Sequence, residues 1–230
     1  MARWGWPSGV ISNTLLVGVL GMPPAQASQR VHVVECFTTA VSGISHLLHG
    51  NIDKSLFFRL LIPGVTGGVL GAYVLTSLDA DVAKPFVLLY LTAIGIYLFS
   101  RGVLYPPTAK VAKHVAPLGF VGGFLDAAGG GGWGPVVTSN LLIQGADPRK
   151  VVGSVNSAEF FITIAISATF IFQLGLVDLA GATLGLLIGG IAAAPLGAFA
   201  AKRFAAKHML ILVGLVLTLT SAYGVYRAWG

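Results

Sequence analysis

The stretch DAAGGGGWGPVVTSN, Asp126–Asn140, sets four consecutive glycines between an aspartate and a tryptophan. Each glycine inside a helix costs roughly 1 kcal/mol relative to alanine, and Pro135 follows the run. The sequence on both sides is apolar and otherwise suited to a helix. We therefore expect a helix that breaks at Gly129–Gly132 and resumes near Trp133–Val137.

The composition of the whole chain is that of an integral membrane protein. Of its 230 residues, 55% are hydrophobic and 10% are charged, and the mean hydropathy is +0.85. In a soluble domain about a quarter of the residues are charged. A membrane-spanning helix needs about 20 apolar residues, and six segments come close to that length: 31–48, 60–78, 85–103, 151–173, 178–201 and 208–226. Two further apolar stretches are less clear: 9–21 is too short for a span, and 118–143 is interrupted by glycine. The topology depends on whether they cross the membrane.

The charged and sulfur-containing residues exclude several classes of protein. The net charge of +6 comes from Lys and Arg in loops, without a basic face interleaved with aromatics, so it predicts membrane orientation and no nucleic-acid partner. Cys36 is the single cysteine, which excludes an intramolecular disulfide and a cysteine-based metal cluster. With no HExxH motif, no nucleophile–base pairing and no Walker loop in the sequence, we expect no metal site and no enzymatic activity.

The two halves of the chain match each other. LLIPGVTGGVLGAYV, 60–74, aligns without gaps to LLIGGIAAAPLGAFA, 186–200, and Ser12-Asn13 recurs as Ser139-Asn140. Four residues of the first half recur at a constant offset of 124: Val31, Glu35, Phe37 and Thr39 against Val155, Glu159, Phe161 and Thr163. Many secondary transporters contain such a duplication. We expect one transport domain over 1–230, with repeat one at about 9–104 and repeat two at about 117–227.

Repeat one lacks a counterpart to LGFVGGFLDAAGG, 118–130. Either it has lost part of its first element, or the chain begins late relative to a longer natural protein. Arg3, the apolar run Val10–Met22 and AQAS, 25–28, also resemble a secretory leader. The match between residues 12–13 and 139–140 argues against that reading, because a removable leader need not match the second repeat.

The distribution of Lys and Arg favours one topology. If 118–143 crosses the membrane fully, these residues divide seven to seven between the two sides; if it returns to its own side, ten of the 14 share a side. Positive residues concentrate in cytoplasmic loops. We therefore expect an all-α polytopic protein with six spans, inverted repeats and re-entrant elements, and seven spans with 118–143 crossing fully is the alternative. The ten residues are Lys54, Arg59, Arg101, Lys110, Lys113, Arg149, Lys150, Lys202, Arg203 and Lys207.

Two long segments resemble the paired motifs of the TauE/SafE family of sulfite exporter-like membrane permeases. They are GFLDAAGGGGWGPVVTSNLLIQGADPRKVVGSVNSAEFF, 123–161, and PPAQASQRVHVVECFTTAVSGISHLLHGNIDK, 23–54. The resemblance covers about 9–227, although only WGWPSG, 4–9, stands where the family usually has its first glycine-rich motif. It implies a permease of the cell (inner) membrane for small sulfur-containing anions such as sulfite or organosulfonates, without an organic cofactor. A membrane assembly partner or an intramembrane enzyme is the alternative, and homo-oligomerisation stays open.

The broken helix is the candidate substrate site. Where the helix resumes, its first N–H groups and the positive end of its dipole face the break, and glycine lets an oxyanion approach the main chain. The candidate substrate-binding residues there are Gly129, Gly130, Gly131, Gly132 and Trp133. Close helix packing is the alternative for the four glycines. It is also the role we expect of Gly64, Gly67, Gly68, Gly71, Gly190 and Gly197.

Acidic residues within apolar segments are the candidates for proton coupling: Asp126, Glu35 and Glu159. An ionised carboxylate at the bilayer centre is costly, so such residues usually face a cavity and have a function. The alternative for the two glutamates is that each stabilises the N-terminus of a helix or extends its carboxylate to water near a helix end. His32 and Asn156 precede these glutamates by three residues and so share their helix faces. With Ser139 and Asn140, they are candidate donors to a bound anion, or else contacts between helices.

Overall fold

The computed structural model describes residues 8–104, 114–144, 147–176, 183–186, 188–189 and 206–229. The regular elements in this part of the chain are helices, as expected of an all-α protein. In chain order they are α1 (Ser8–Thr14), continued by a π-helical turn (Leu15–Val19), α2 (Pro24–Leu48), α3 (Lys54–Ser77), α4 (Ala80–Val103), α5 (Val115–Gly129), a second π-helical turn (Gly134–Thr138) continued by α6 (Ser139–Ile143), α7 (Pro148–Leu174) and α8 (Ala206–Trp229).

Four of the described helices are long and apolar enough to cross a membrane: Pro24–Leu48, Lys54–Ser77, Ala80–Val103 and Arg149–Leu174. They contain the expected spans 31–48, 85–103 and 151–173, and the expected span 60–78 up to residue 77. α8 coincides with the expected span 208–226 and includes the shorter apolar stretch Ile211–Arg227. The expected span 178–201, with Gly190 and Gly197, lies largely outside the described residues.

Aspartates begin three of the long helices. Asp53, Asp79 and Asp147 precede α3, α4 and α7, and each accepts a hydrogen bond of 2.9–3.1 Å from a backbone N–H of the first turn. Pro24 and Pro148 occupy the first turns of α2 and α7, where a missing N–H leaves no helical bond unmade. These polar starts place the loops at the two ends of the bundle and leave the apolar stretches between them.

Glycines on α3 let this helix pack closely against α5 and α7. A Cβ at Gly67 would meet the carbonyl oxygen of Phe120 on α5, and one at Gly68 would lie 2.7 Å from Ile166 on α7. The contacts advance in the same direction along all three helices, so α3, α5 and α7 run parallel. The predicted packing role is confirmed for Gly64, Gly67, Gly68 and Gly71. At each of them an added Cβ would lie within 2.7 Å of an atom of a neighbouring helix.

α7 begins beside the loop that joins α2 to α3. The Lys150 ammonium donates to the Gly50 carbonyl over 2.9 Å, and the Asp53 N–H donates to the Ser154 hydroxyl over 2.8 Å. The beginnings of α3 and α7 therefore lie at the same end of the bundle, which we call the Lys54 end.

Two antiparallel helix pairs complete the described bundle. α2 packs against α7 and α4 against α8, with Gly43 beside Ser157 and Gly95 beside Thr218. Each pair joins one helix of the first half to one of the second. The match of Glu35 with Glu159 predicts that α2 and α7 are equivalent elements of the two repeats, and these two helices are in contact.

Residues 115–143 form a helical hairpin. The chain turns at Gly130, with φ 62°, and Gly131, with φ 123°, values that glycine adopts without the strain of a Cβ. The returning segment lies along α5, because a Cβ at Gly122 would meet the Val137 side chain. α5 begins at the Lys54 end, parallel to α3, and α7 begins there too, so the hairpin enters and leaves at one end. With 15 residues, α5 is about 22 Å long, shorter than the ~30 Å hydrocarbon core of a bilayer.

Candidate functional site

The beginning of α1 lies directly on the glycine turn of the hairpin. A Cβ at Gly131 would lie 2.6 Å from the Val10 nitrogen, and one at Gly9 would lie 3.0 Å from the Gly131 Cα. The Asn13 side-chain amide donates to the Gly129 carbonyl over 2.7 Å. Sequence reasoning related residues 12–13 to 139–140 but did not predict that α1 would touch the glycines, since a repeat match carries no information about contact.

All four glycines of the run have close neighbours. A Cβ at Gly129 or Gly132 would meet the ring or the hydroxyl of Tyr90 on α4, and one at Gly130 would meet the Asn13 side chain. These contacts are the ones that the packing alternative expects, and the substrate-binding role of the four glycines stays a prediction. Tyr90 was missed by sequence reasoning, because nothing in the pattern of α4 distinguishes it from the other aromatic residues of that helix.

The Asp126 carboxylate is the polar centre of the hairpin. The side chain is fully buried, and its Oδ1 accepts a hydrogen bond of 2.8 Å from the backbone N–H of Trp133, where the helix resumes. The Asp126 carbonyl accepts from the N–H groups of Gly130 and Gly131. Two of the backbone groups expected to face an oxyanion are therefore bonded to Asp126 in this conformation, and a third holds its carboxylate.

His32 faces Asp126 from α2, with 3.4 Å between its Nε2 and the Asp126 Oδ2. Its Nδ1 lies 2.8 Å from the carbonyl oxygen of Ser28. Because a carbonyl can only accept, Nδ1 carries a hydrogen, and Nε2 is left to give a proton to Asp126 or to take one from it. The Ser28 hydroxyl in turn donates to the Ala127 carbonyl over 2.5 Å. Sequence reasoning missed Ser28, although its i, i+4 spacing from His32 places both on one helix face.

Glu35 and Glu159 belong to the same electrostatic region. Glu159 lies one helical turn after Val155, whose carbonyl accepts from the Trp133 indole. Both glutamates therefore lie near enough to Asp126 for their charges to influence one another. The Glu35 Oε1 contacts Gly9 at the start of α1, and its Oε2 is buried without a hydrogen-bond partner among the described residues. The three acids predicted from the sequence therefore converge, although they lie on three different helices.

The remaining predicted residues make contacts within the scaffold. The buried Trp133 indole donates to the Val155 carbonyl over 3.2 Å and so connects the hairpin to α7. The Asn156 amide donates to the Ser42 hydroxyl over 2.9 Å, between α7 and α2, and the Asn140 amide donates to the Val136 carbonyl of its own helix over 2.6 Å. Ser139 is buried on that helix. Among the residues that the structure describes, no group of three His, Cys, Asp or Glu is arranged to hold a metal ion.

Apolar helices of membrane-spanning length, a helix broken at glycines and acids buried beside the break are together typical of a polytopic membrane transporter. The family model of the sulfite exporter TauE/SafE matches residues 5–224. The probable membrane transporter protein YtnM of Bacillus subtilis (strain 168) is 42% identical over 234 aligned residues, which cover 98% of this chain and 78% of that protein. No solved structure matches the chain significantly. The chain belongs to the TauE/SafE family and is a multi-pass membrane transporter, which confirms the family resemblance of its motifs.

Proposed function

We propose that the protein is a secondary transporter of small sulfur-containing anions such as sulfite or organosulfonates. The family description names sulfite export. The observation that carries the proposal is a hydrogen bond at the point where the helix resumes. The Trp133 N–H donates to the Asp126 carboxylate over 2.8 Å. A carboxylate and a sulfur oxyanion present the same chemistry to a helix start, namely a delocalised negative charge on oxygen atoms.

Proton coupling is the second part of the proposal. An anion that enters this region meets the charges of Asp126, Glu35 and Glu159, and like charges in a low-dielectric site repel strongly. Protonation of one or more of these acids removes that repulsion. His32, 3.4 Å from Asp126, is the group placed to exchange a proton with it. Uptake of a proton then favours binding of the anion, so the two move together.

The topology that we propose has six spans, inverted repeats and a re-entrant hairpin. It is supported by the parallel course of α3, α5 and α7 and by the bond from Lys150 to the Gly50 carbonyl. Full crossing by 118–143 would place Lys150 opposite that loop. The described basic residues of the Lys54 end are Lys54, Arg59, Arg101, Arg149 and Lys150, and by the positive-inside rule this end is cytoplasmic. Lys110, Lys113, Lys202 and Arg203 lie outside the described residues, as does the Lys207 side chain.

Flux through purified protein in proteoliposomes tests the substrate and the coupling. Sulfite, thiosulfate, methanesulfonate and sulfate are offered in turn, with and without an imposed proton gradient, and protein-free liposomes provide the control. We expect protein-dependent movement of sulfite or a sulfonate that is accelerated when protons flow in the same direction. No protein-dependent flux of any of these anions would refute the proposed substrate class, and flux indifferent to the gradient would refute the coupling.

A further inference from the structure

We propose that Asp126 is an intramolecular competitor of the substrate: in this conformation its carboxylate occupies the place on the resumed helix that a substrate oxyanion takes during transport. The inference rests on the proposed function for the class of ligand, a small sulfur oxyanion. It adds the position of that ligand, at the Trp133 N–H, and the event that must precede binding there, which is neutralisation of Asp126.

The geometry at Trp133 is the first support. Residues 134–143 form a continuous helical segment that follows the turn, so the Trp133 N–H is one of the initial donors that have no partner within the helix. Asp126 Oδ1 accepts from it over 2.8 Å, and the whole side chain is buried. A charge-assisted bond of this kind is about twice as strong as a neutral one. A weaker hydrogen-bond acceptor therefore cannot displace the carboxylate from the Trp133 N–H.

Buried polar atoms without partners provide the second, independent support. The Oδ1 of Asn13, a fully buried residue, lies where a Cβ on Gly130 would be 2.7 Å away, and it has no hydrogen-bond partner among the described residues. The Oε2 of Glu35, which is 9% exposed, is likewise unpartnered, and the other oxygen of that carboxylate contacts Gly9 beside Gly131. Buried polar atoms in native proteins almost always have a partner. Both atoms accept hydrogen bonds, so together they mark a place beside the turn for a group that donates one, such as the O–H of an acid that has been protonated before the anion binds.

Neutralisation of Asp126 involves the groups that face it from neighbouring helices. These are His32 and Glu35 on α2, Tyr90 on α4 and Glu159 on α7. A proton taken up from solution at Nε2 of the neutral His32 can pass to Asp126: the Nε2–H bond breaks as an O–H bond forms at Oδ2, which leaves a neutral imidazole and a neutral acid. A neutral acid holds the Trp133 N–H less strongly than a carboxylate does, so an incoming oxyanion can replace it there.

The Asp126→Asn variant tests the inference by calorimetric titration of purified protein with sulfite. The amide keeps an acceptor for the Trp133 N–H but loses the charge that competes with the anion. We expect the variant to bind sulfite roughly tenfold or more tightly than the wild type, because like charges a few ångströms apart repel at this scale even with an effective dielectric constant near 20.

Two variants serve as matched controls. Asp147→Asn makes the same change in an exposed aspartate that accepts the Arg149 N–H over 2.9 Å at the start of α7, and it should leave sulfite binding unchanged. Glu159→Gln neutralises an acid of the same region that holds no helix start among the contacts described, and it should tighten binding less than Asp126→Asn does. An equal or larger gain in Glu159→Gln would overturn the inference, since overall charge would then explain the effect.

A proton count on the wild type decides the question if Asp126→Asn does not fold. Methanesulfonate is the probe, because its charge does not change near neutral pH. Titration in buffers of different ionisation enthalpy should show an uptake approaching one proton per anion bound. Binding without proton uptake, or no binding of methanesulfonate at all in that case, would overturn the inference.

The outcomes separate this inference from the proposed function. If the wild type neither binds nor transports sulfite but a folded Asp126→Asn protein binds it, the substrate assignment fails and the competitor role stands. If the wild type transports sulfite and the variant binds it no more tightly, the competitor role fails and the transport function stands. A folded variant that binds neither sulfite nor methanesulfonate refutes the competitor role outright.

Discussion

Replacing Gly131 with alanine tests the contact on which the arrangement of the two halves depends. Gly131 has φ 123°, in a region that side chains with a Cβ rarely adopt, and the added methyl group would lie 2.6 Å from the Val10 nitrogen and 2.7 Å from the Gly9 Cα. Both neighbours are backbone atoms at the start of α1 and cannot rotate away. The hairpin turn and α1 must therefore move apart.

The magnitude follows from these two costs. An unfavourable φ for a residue with a Cβ costs on the order of 1–3 kcal/mol, and forcing an extra methyl group into a packed interior typically costs about 1–3 kcal/mol. We expect Gly131→Ala to lower the free energy of unfolding by about 3 kcal/mol. For a chain of this size each kcal/mol corresponds to roughly 2–4 °C, so the midpoint of thermal unfolding should fall by about 6–12 °C.

Gly134→Ala is the matched control. Gly134 follows the same turn, but an added Cβ there would have no neighbour within 4 Å, and alanine has the higher helix propensity by about 1 kcal/mol. Thermal unfolding of the two variants and the wild type in detergent, followed by size-exclusion chromatography of the remaining folded protein, gives the comparison. If Gly131→Ala unfolds at the same temperature as Gly134→Ala, the close approach of α1 to the glycine turn is not a feature of the folded protein.

Two further predictions concern coupling and topology. Glu159→Gln should flatten the rise of substrate flux with falling pH, because an amide cannot take up a proton; an unaltered pH profile in this variant and in Glu35→Gln would leave both glutamates as structural contacts. In a background with Cys36 replaced by serine, a membrane-impermeant thiol reagent added to intact cells should label a cysteine at position 84 and miss one at position 150. The reverse pattern would show that the Lys54 end faces outward.

The glycines illustrate how far local chemistry determines structure. The break after Gly129 was predictable, because four glycines followed by proline disfavour a continuous helix in any surroundings. The packing glycines of α3 were also predictable, since a helix that repeats small residues can approach its neighbours closely. The direction of the chain after the break was suggested by the distribution of Lys and Arg, which reflects how the whole protein inserts into a membrane.

The acids of the site show where sequence reasoning stops. The free-energy cost of a charged side chain in the bilayer singled out Asp126, Glu35 and Glu159. It did not indicate that the Asp126 carboxylate would accept from the N–H of Trp133, or that the Asp126 carbonyl would accept from the N–H groups of Gly130 and Gly131. Both arrangements depend on the φ angles of the turn. An expectation of free backbone donors was reasonable for a broken helix in isolation, and the folded hairpin assigns three of those donors to Asp126.

The amino-acid sequence by itself determined the membrane class, the helical elements and the position of the break, because hydropathy, helix propensity and capping act over neighbouring residues. Only the tertiary structure decided which residues meet at the break. Asn13 bonds to a carbonyl 116 residues away, His32 faces an aspartate 94 residues away, and the Tyr90 ring lies over Gly129. Such contacts arise when parallel or antiparallel helices pack through small residues. The periodicity of a single helix does not indicate which other helix it will pack against.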